Sequence, residues 1–171
     1  MSELLTDRLH LRAFSLADFE AHAQITADPE VMRYIHAGPL TRVEAWWNLA
    51  RYVGHWQLRG YGMWAAVERS SGDVIGHIGF LNPEGRRGFE LGWALARSAW
   101  GKGYAREGTR AAVIHAFCVL NQPHITCVIR AENLRSIRLA EQLGAILEHE
   151  VEEAGNRLLI YGIARRAPVA A

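Results

Sequence analysis

Apolar positions along the chain change their period in a regular order. From Leu9 the run RLHLRAF alternates Leu9, Leu11 and Ala13 against His10, Arg12 and Phe14, the period of a strand. Ser15-Leu16-Ala17-Asp18 then has the form of a capping box, and Phe19, Ala23 and Ile25 continue it as a helix toward Thr26, broken at Asp28-Pro29. A further short helical piece is expected from Glu30 to Tyr34. Thr41-Arg42-Val43-Glu44 is a second capping box, and Trp46, Trp47, Leu49, Ala50 and Val53 form the apolar stripe of a helix that Gly60-Tyr61-Gly62 closes. The two tryptophans are adjacent, so one of them falls off the core side, either lining a pocket or edging the core.

MWAAVERS and VIGHIGFLN read as a hairpin through Ser71-Gly72-Asp73, and Glu84-Gly85-Arg86-Arg87-Gly88 turns the chain into a central strand, FELGWALA. In that strand Leu91, Trp93 and Leu95 face one way, with Glu90, Gly92, Ala94 and Ala96 opposite. The period then becomes helical through Ala105, Gly108, Ala112, Ala116 and Val119 or Leu120, until Asn121-Gln122-Pro123. HITCVIRA is a buried strand, parallel to FELGWALA through a right-handed crossover. Asn133 caps a helix with Leu134, Ile137, Ala140 and Leu143 on its apolar face, and Gly144 ends it. ILEHEVEEA and RLLIYGIA make a last hairpin turned at Gly155-Asn156, and the stretch from Arg165 to Ala171 carries no pattern.

Composition narrows the class. The 171 residues suit one domain, half of them are apolar, and the net charge of +1 leaves no basic footprint for nucleic acid. The N-terminus lacks the apolar core of a signal peptide and no run is long enough to span a membrane, so a cytoplasmic protein is expected. Cys118 and Cys127 lie in apolar patterns and read as small core residues, and the eight histidines show no metal-ligand spacing, so no metal is expected.

The chemistry centres on Trp100-Gly101-Lys102-Gly103-Tyr104-Ala105, between the central strand and the long helix. A glycine turn entering a helix bares backbone N–H groups at the positive end of the helix dipole, which suits a phosphate. It is neither a Walker A loop nor G-x-G-x-x-G, since Lys102 is not followed by Ser or Thr and Arg106 stands where the third glycine would. Taken alone, it is equally a turn that uses glycine for its geometry.

The longer phrase ELGWALARSAWGKGYAREG resembles the coenzyme A loop of the GNAT N-acetyltransferases, (Q/R)-x-x-G-x-(G/A), in the form with Trp first. ENLRSIRLAEQLGA is similar to the second half of that family's signature, and TDRLHLRAFSLADF to the opening of the subgroup that acetylates ribosomal-protein N-termini. The resemblance covers most of the chain. It implies a single α/β GNAT domain with a mixed sheet of six or seven strands and about four helices, splayed between the fourth and fifth strands to admit acetyl-CoA.

It also implies direct acetyl transfer from the thioester to an amine, either a protein N-terminal α-amine or a small-molecule amine. By this likeness Gly101, Lys102, Gly103, Tyr104 and Ala105, with Trp100 beside them, hold the pyrophosphate, and Leu95 and Ala96 bond the pantetheine amides. Lys102 or Arg106 adds charge near the phosphates or is a solvated cation. Asn133 bonds the pantetheine arm or the acceptor region, is a plain helix cap, or both. Many members protonate the leaving thiolate with a tyrosine at the position matching Ala140. Here alanine cannot, and Ser136, one turn earlier, matches the serine of the ribosomal-protein subgroup.

The attacking amine must lose its proton from a pKa of about 8 for an α-amine or about 10.4 for lysine. Glu90 is the leading base; its other reading is a strand-edge carboxylate facing water. Glu107, in the first helical turn, reads as structural. Ala140 leaves open a different class, a coenzyme A-binding sensor without catalysis. The regions that would choose the acceptor, Arg33 to Tyr61 and the Gly155 turn, carry no readable motif, and the chain is expected as a monomer or homodimer.

Overall fold

In the computed structural model, residues 2–35, 38–85 and 88–165 are described here. The expected turn residues Arg86 and Arg87, His36 and Ala37 in the acceptor region, and the tail 166–171 lie outside them. The strands are β1 (Leu4–Leu5), β2 (Leu9–Ala13), β3 (Met63–Glu68), β4 (Val74–Leu81), β5 (Glu90–Leu95), β6 (His124–Arg130), β7 (Ile146–Glu153) and β8 (Asn156–Ala164). The helices are α1 (Phe19–Ala27), α2 (Pro29–Met32), α3 (Arg42–Arg59), α4 (Tyr104–Cys118) and α5 (Leu134–Gln142), with single 3₁₀ turns at Leu16–Asp18 and Arg97–Ala99. One mixed sheet runs in the order β1-β2-β3-β4-β5-β6-β8-β7. Among the described residues it has eight strands, where the resemblance implied six or seven. The added one is the two-residue β1, too short to show a period.

Strand alternation builds two cores from one sheet. Along β3, Trp64 and Ala66 join Leu9, Leu11 and Ile78, with Ala112 and Ala116 of α4 on that side. Met63, Ala65 and Val67 face the other way, onto Phe14, Phe19, Leu49 and Tyr52 from the α1–α3 side. Covered on both faces, β3 is buried at five of its six positions. Helix α4 lies close to the sheet because Gly108 has no side chain: a Cβ there would meet Ile78 Cδ1 at 2.4 Å and Leu9 Cδ1 at 3.1 Å.

Both capping boxes form. Asp18 accepts from the Ser15 N–H at 2.7 Å and Glu44 from the Thr41 N–H at 2.7 Å. The stripe on α3 differs from the sequence reading. Ala45, Asn48, Leu49, Tyr52, His55 and Trp56 face inward, while Trp46 is half-exposed against Phe19 and Trp47 points to solvent. The capping box sets the helical phase, and that phase puts both tryptophans outside. Cys127 is fully buried as expected, but Cys118 is exposed at the last turn of α4, and Val119 beyond it is exposed too. The last hairpin turns at Ala154-Gly155, both at positive φ, and Asn156 is the first residue of β8.

The strands β5 and β6 run parallel and share a single register pair, Glu90↔Thr126, where Thr126 N–H donates to Phe89 O at 2.9 Å. Beyond it they diverge. On one side β5 pairs with β4 over all six residues; on the other, all seven residues of β6 pair with β8. The expected splay between the fourth and fifth long strands is therefore present, between two well-paired halves.

Several histidines sit inside this frame. Burial holds His22, His55 and His115 below the ordinary histidine value of 6.5, against the hydrogen bonds that His22 donates to Asn48 Oδ1 and His55 donates to the Tyr61 carbonyl, which oppose it. The unfolded chain therefore binds more protons than the folded one once the pH drops below about 6.5. Their stabilising contribution is complete above that value and is lost as pH falls toward the lowered ones. Urea midpoints should decline between pH 7 and pH 5, and His22→Gln, which keeps a partner for Asn48, should flatten that slope; an unchanged slope would contradict the assignment.

Candidate active site

The divergence of β5 from β6 opens a cleft of about 880 Å³, lined by β5, the 99–106 turn, β6, the start of α5, and Glu30, Tyr34, Arg51, Tyr52 and His77 across the way. Ladder geometry decides which backbone groups face it. Ala96 donates its N–H to Ile75 O at 2.8 Å, so the even residues of β5 point their backbone at β4 and the odd ones, Trp93 and Leu95, point theirs at the gap. The Leu95 carbonyl takes the Trp100 indole N–H at 2.8 Å, which ties the following turn to the strand. Leu95 turns its amide toward the gap. Ala96 does not: its N–H is held by Ile75 and its carbonyl accepts from Ala99 N–H at 2.9 Å. Trp93 takes its place as the second gap-facing residue.

The turn itself suits an anion. Gly101 and Gly103 adopt φ of +74° and +84°, left-handed values that favour glycine, and Gly103 is the N-cap of α4. The first N–H groups of a helix have no carbonyl a turn behind them to bond, and they sit at the positive end of the dipole. Tyr104, Ala105 and Arg106 begin that turn, and Gly101, Gly103, Tyr104, Ala105 and Arg106 line the cleft. Lys102 is exposed beside them. Arg135 from α5 stacks on the Trp100 ring at 3.8 Å, closing the mouth from the β6 side with a second cation.

Sequence reasoning passed over what holds this turn in place. Glu107 accepts from Thr6 Oγ1 at 2.6 Å, from Arg8 N–H at 2.8 Å and from Arg8 Nε at 2.7 Å, and Arg8 Nη1 donates to Lys102 O at 2.8 Å. Burial raises the Glu107 carboxyl, but these donors outweigh it and hold it below the usual carboxylate range. Glu107 thus clamps the N-terminal strand onto the turn, the structural role read from its position. Arg8 also lies over the Tyr104 ring at 4.5 Å, and the Tyr104 hydroxyl donates to Glu68. The partners are about a hundred positions apart in sequence, beyond any local pattern.

From α5, Asn133 is the N-cap: its Oδ1 accepts from Ser136 N–H at 3.2 Å. The cap reading therefore holds, and it leaves the amide nitrogen of Asn133 for another partner. Asn133 and the half-buried Ser136 both line the cleft. Ala140 does not; it is fully buried in the main core. Glu90 lines the cleft at the one point where β5 and β6 still pair, and its charge is felt by both Tyr52 on α3 and Cys127 on β6. The Cys127 thiol is pushed up to about 12 by burial, with Glu90 adding to the shift, so it is not a nucleophile.

Among the described residues no three His, Cys, Asp or Glu side chains group as metal ligands, and no helix is long and apolar enough to cross a membrane. Residues 8–146 match the family model described as an acetyltransferase (GNAT) domain. The chain belongs to the GNAT acetyltransferase family. It is 32% identical to an uncharacterized N-acetyltransferase, p20, of Bacillus licheniformis, over 93% of this chain and 92% of that one. The acetyltransferase of Agrobacterium tumefaciens str. C58 has a similar structure, at a TM-score of 0.87 and 28% identity over 96% of this chain and 95% of that one. At 20% identity, a spermidine N-acetyltransferase from Vibrio cholerae, in complex with CoA and spermine, shares the fold with a TM-score of 0.78 over 93% and 96% of the two chains. Family membership makes this protein an N-acetyltransferase that draws its acetyl group from acetyl-CoA and passes it to an amine acceptor.

The gap-facing amides and the glycine turn form one continuous strip, the shape a pantetheine arm ending in a pyrophosphate requires. A branched side chain at Gly103 would force a φ of +84° on a residue that resists it and would cover the helix N-terminus. Gly103→Val should weaken coenzyme A binding at least tenfold by calorimetry while the circular dichroism spectrum stays native. Wild-type affinity in the folded variant would remove the turn from the binding site.

Proposed function

We propose that this single-domain enzyme transfers an acetyl group directly from acetyl-CoA to a primary amine, either a protein N-terminal α-amine or a small-molecule amine. The observation that carries the reading is the open side of β5, where the N–H groups of Trp93 and Leu95 face a cleft that continues into the turn at the N-terminus of α4. Those amides hold the extended arm of the coenzyme and place the thioester carbonyl beside the strand, where an N–H can stabilise the oxygen as it gains charge. The amides of residues 101–105 hold the pyrophosphate, with Arg106, Lys102 and Arg135 adding positive charge at the mouth.

Ser136 is the proton donor to the departing thiolate. It projects from the first turn of α5 into the cleft, and Asn133 fixes that turn. Glu90 takes the proton of the incoming ammonium, from the face of the cleft opposite the coenzyme turn. The sequence likeness to the subgroup that acetylates ribosomal-protein N-termini, through Trp100 and Ser136, keeps a protein α-amine among the acceptors. A non-catalytic sensor rested on Ala140 alone, and Ala140 is core, so nothing at the site favours that reading.

A leaving-group acid acts only as the C–S bond breaks. Ser136→Ala should therefore lower kcat by roughly ten- to a thousandfold, with coenzyme affinity unchanged. Full turnover in this variant would transfer the acid role to water or another group. For the base, kcat/KM should rise with pH through an ionisation that stays in place when the acceptor amine is changed for one of different pKa, and Glu90→Gln should abolish that limb. A wild-type rate and profile in Glu90→Gln would sink the assignment. Thiol release measured against a panel of peptides with free N-termini and of small mono- and polyamines tests the reaction itself; silence with every amine would contradict it.

A further inference from the structure

Proton counting on the proposed reaction leaves one proton without a route. An ammonium nitrogen becomes an amide nitrogen by losing two protons, one before it can attack and one as the N–C bond forms; a single carboxylate cannot hold both. One proton finally resides on the coenzyme thiol and the other in solvent. The structure supplies a second acceptor in a place that has no packing reason to be polar.

Tyr52 and His77 lie on the same face of the sheet as Glu90, both line the cleft, and both are almost wholly buried. The Tyr52 hydroxyl is 3.4 Å from His77 Nε2, and the two rings lie 5.3 Å apart, tilted by 57°. On that face of β5, Gly92 separates Glu90 from Ala94, the β5 partner of His77, and the Met63 side chain packs over Gly92; Glu90, Met63, Tyr52 and His77 all line the cleft. The pair comes from α3 and β4, elements set apart in sequence, and an apolar pair would fill the same volume without the cost of burying polar atoms.

We infer that Tyr52 is a catalytic residue and His77 the positioning residue behind it, a relay for the second proton; this rests on the acetyl-transfer reading above. As the amine nitrogen bonds to the thioester carbonyl carbon, its remaining surplus proton passes to Tyr52 Oη while the Tyr52 proton passes to His77 Nε2. The C–S electron pair leaves on sulfur, which takes the Ser136 proton. His77 and Glu90 then each lose a proton to solvent and Ser136 regains one, so the enzyme ends as it began with one proton released in net. Concerted passage is needed because burial raises the Tyr52 hydroxyl, and a free tyrosinate is not formed beforehand.

The imidazolium that forms is transient. Glu90 bears on Tyr52 from β5 and already carries the first proton at this point, and Arg51 is beside Tyr52 on α3. From α1, His22 stands 5.9 Å from His77 ring to ring, and burial keeps it neutral, with its Nε2 on Asn48 Oδ1 at 3.1 Å. Asp18, which bears electrostatically on His22, is itself paired with Arg12.

The test uses the full chain with acetyl-CoA and whichever amine turns over fastest. Tyr52→Phe keeps the ring that stacks on Phe14 at 5.9 Å and removes only the hydroxyl. It should lower kcat by roughly ten- to a hundredfold, leave coenzyme affinity and melting temperature near wild type, and reduce the solvent deuterium effect on kcat. His77→Gln, which still bonds Tyr52 but takes no proton, should remove one ionisation from the acid limb and leave the one that Glu90→Gln removes. Wild-type rates and profiles in both variants would overturn the relay, as would a fall in rate with the pH profile and isotope effect unchanged, since that is packing. A wild-type enzyme that acetylates no amine would instead contradict the acetyl-transfer reading, and the relay with it.

Discussion

Two parallel strands that touch at one residue pair and then separate set the terms for the rest of this molecule. Beyond Glu90↔Thr126 the odd backbone groups of β5 have lost their strand partner, and backbone polar groups do not stay buried without one. The chain answers this need only in part, with the Trp100 indole on the Leu95 carbonyl. The remaining amides face a cleft, where a ligand with amides of its own would complete the strand. The separation persists because each side is braced elsewhere: β5 by the meander β2–β4 and α4, β6 by β8 along its whole length.

Every functional element then takes its position from that opening. The crossover from β5 to β6 puts the N-terminus of α4 at the wide end, where the glycine turn lines the cleft. The clamp of Glu107 on Thr6 and Arg8 fixes the turn against the far edge of the sheet, so a mobile-looking glycine loop is held by ionic hydrogen bonds. Helix α5 begins just after β6 ends and brings Asn133 and Ser136 to the lining of the cleft. On the other face α3 and β4 bring Tyr52 and His77 beside Glu90. Ser136 and the group of Glu90, Tyr52 and His77 thus come to one cleft from different elements, as the proposed chemistry needs, since one side would yield a proton to sulfur while the other takes protons from nitrogen.

Much of this was legible in the sequence because it is local. Strand alternation in FELGWALA, helical spacing after Gly103, the capping boxes and the Asn133 cap all arise within a few residues, and the family motifs are themselves local phrases. What could not be read depends on partners far apart. Ala96 loses its amide to Ile75 across a hairpin, so the gap-facing residue is Trp93. The outward turn of Trp46 and Trp47 follows from the phase of α3 against the sheet, and the exposure of Cys118 from where α4 ends. The Arg8–Glu107 clamp and the Tyr52–His77 pair join elements with no shared period, and only charge or aromatic residues in otherwise apolar stretches hinted at them.

Amide hydrogen exchange with and without acetyl-CoA tests the central claim most directly, because the open edge of β5 is a statement about individual N–H groups. Coenzyme binding should slow exchange at Trp93, Leu95 and the 101–105 turn. Ala96, already bonded to Ile75, should change little. Protection confined to other parts of the chain, or none along β5 at saturating coenzyme, would contradict the account.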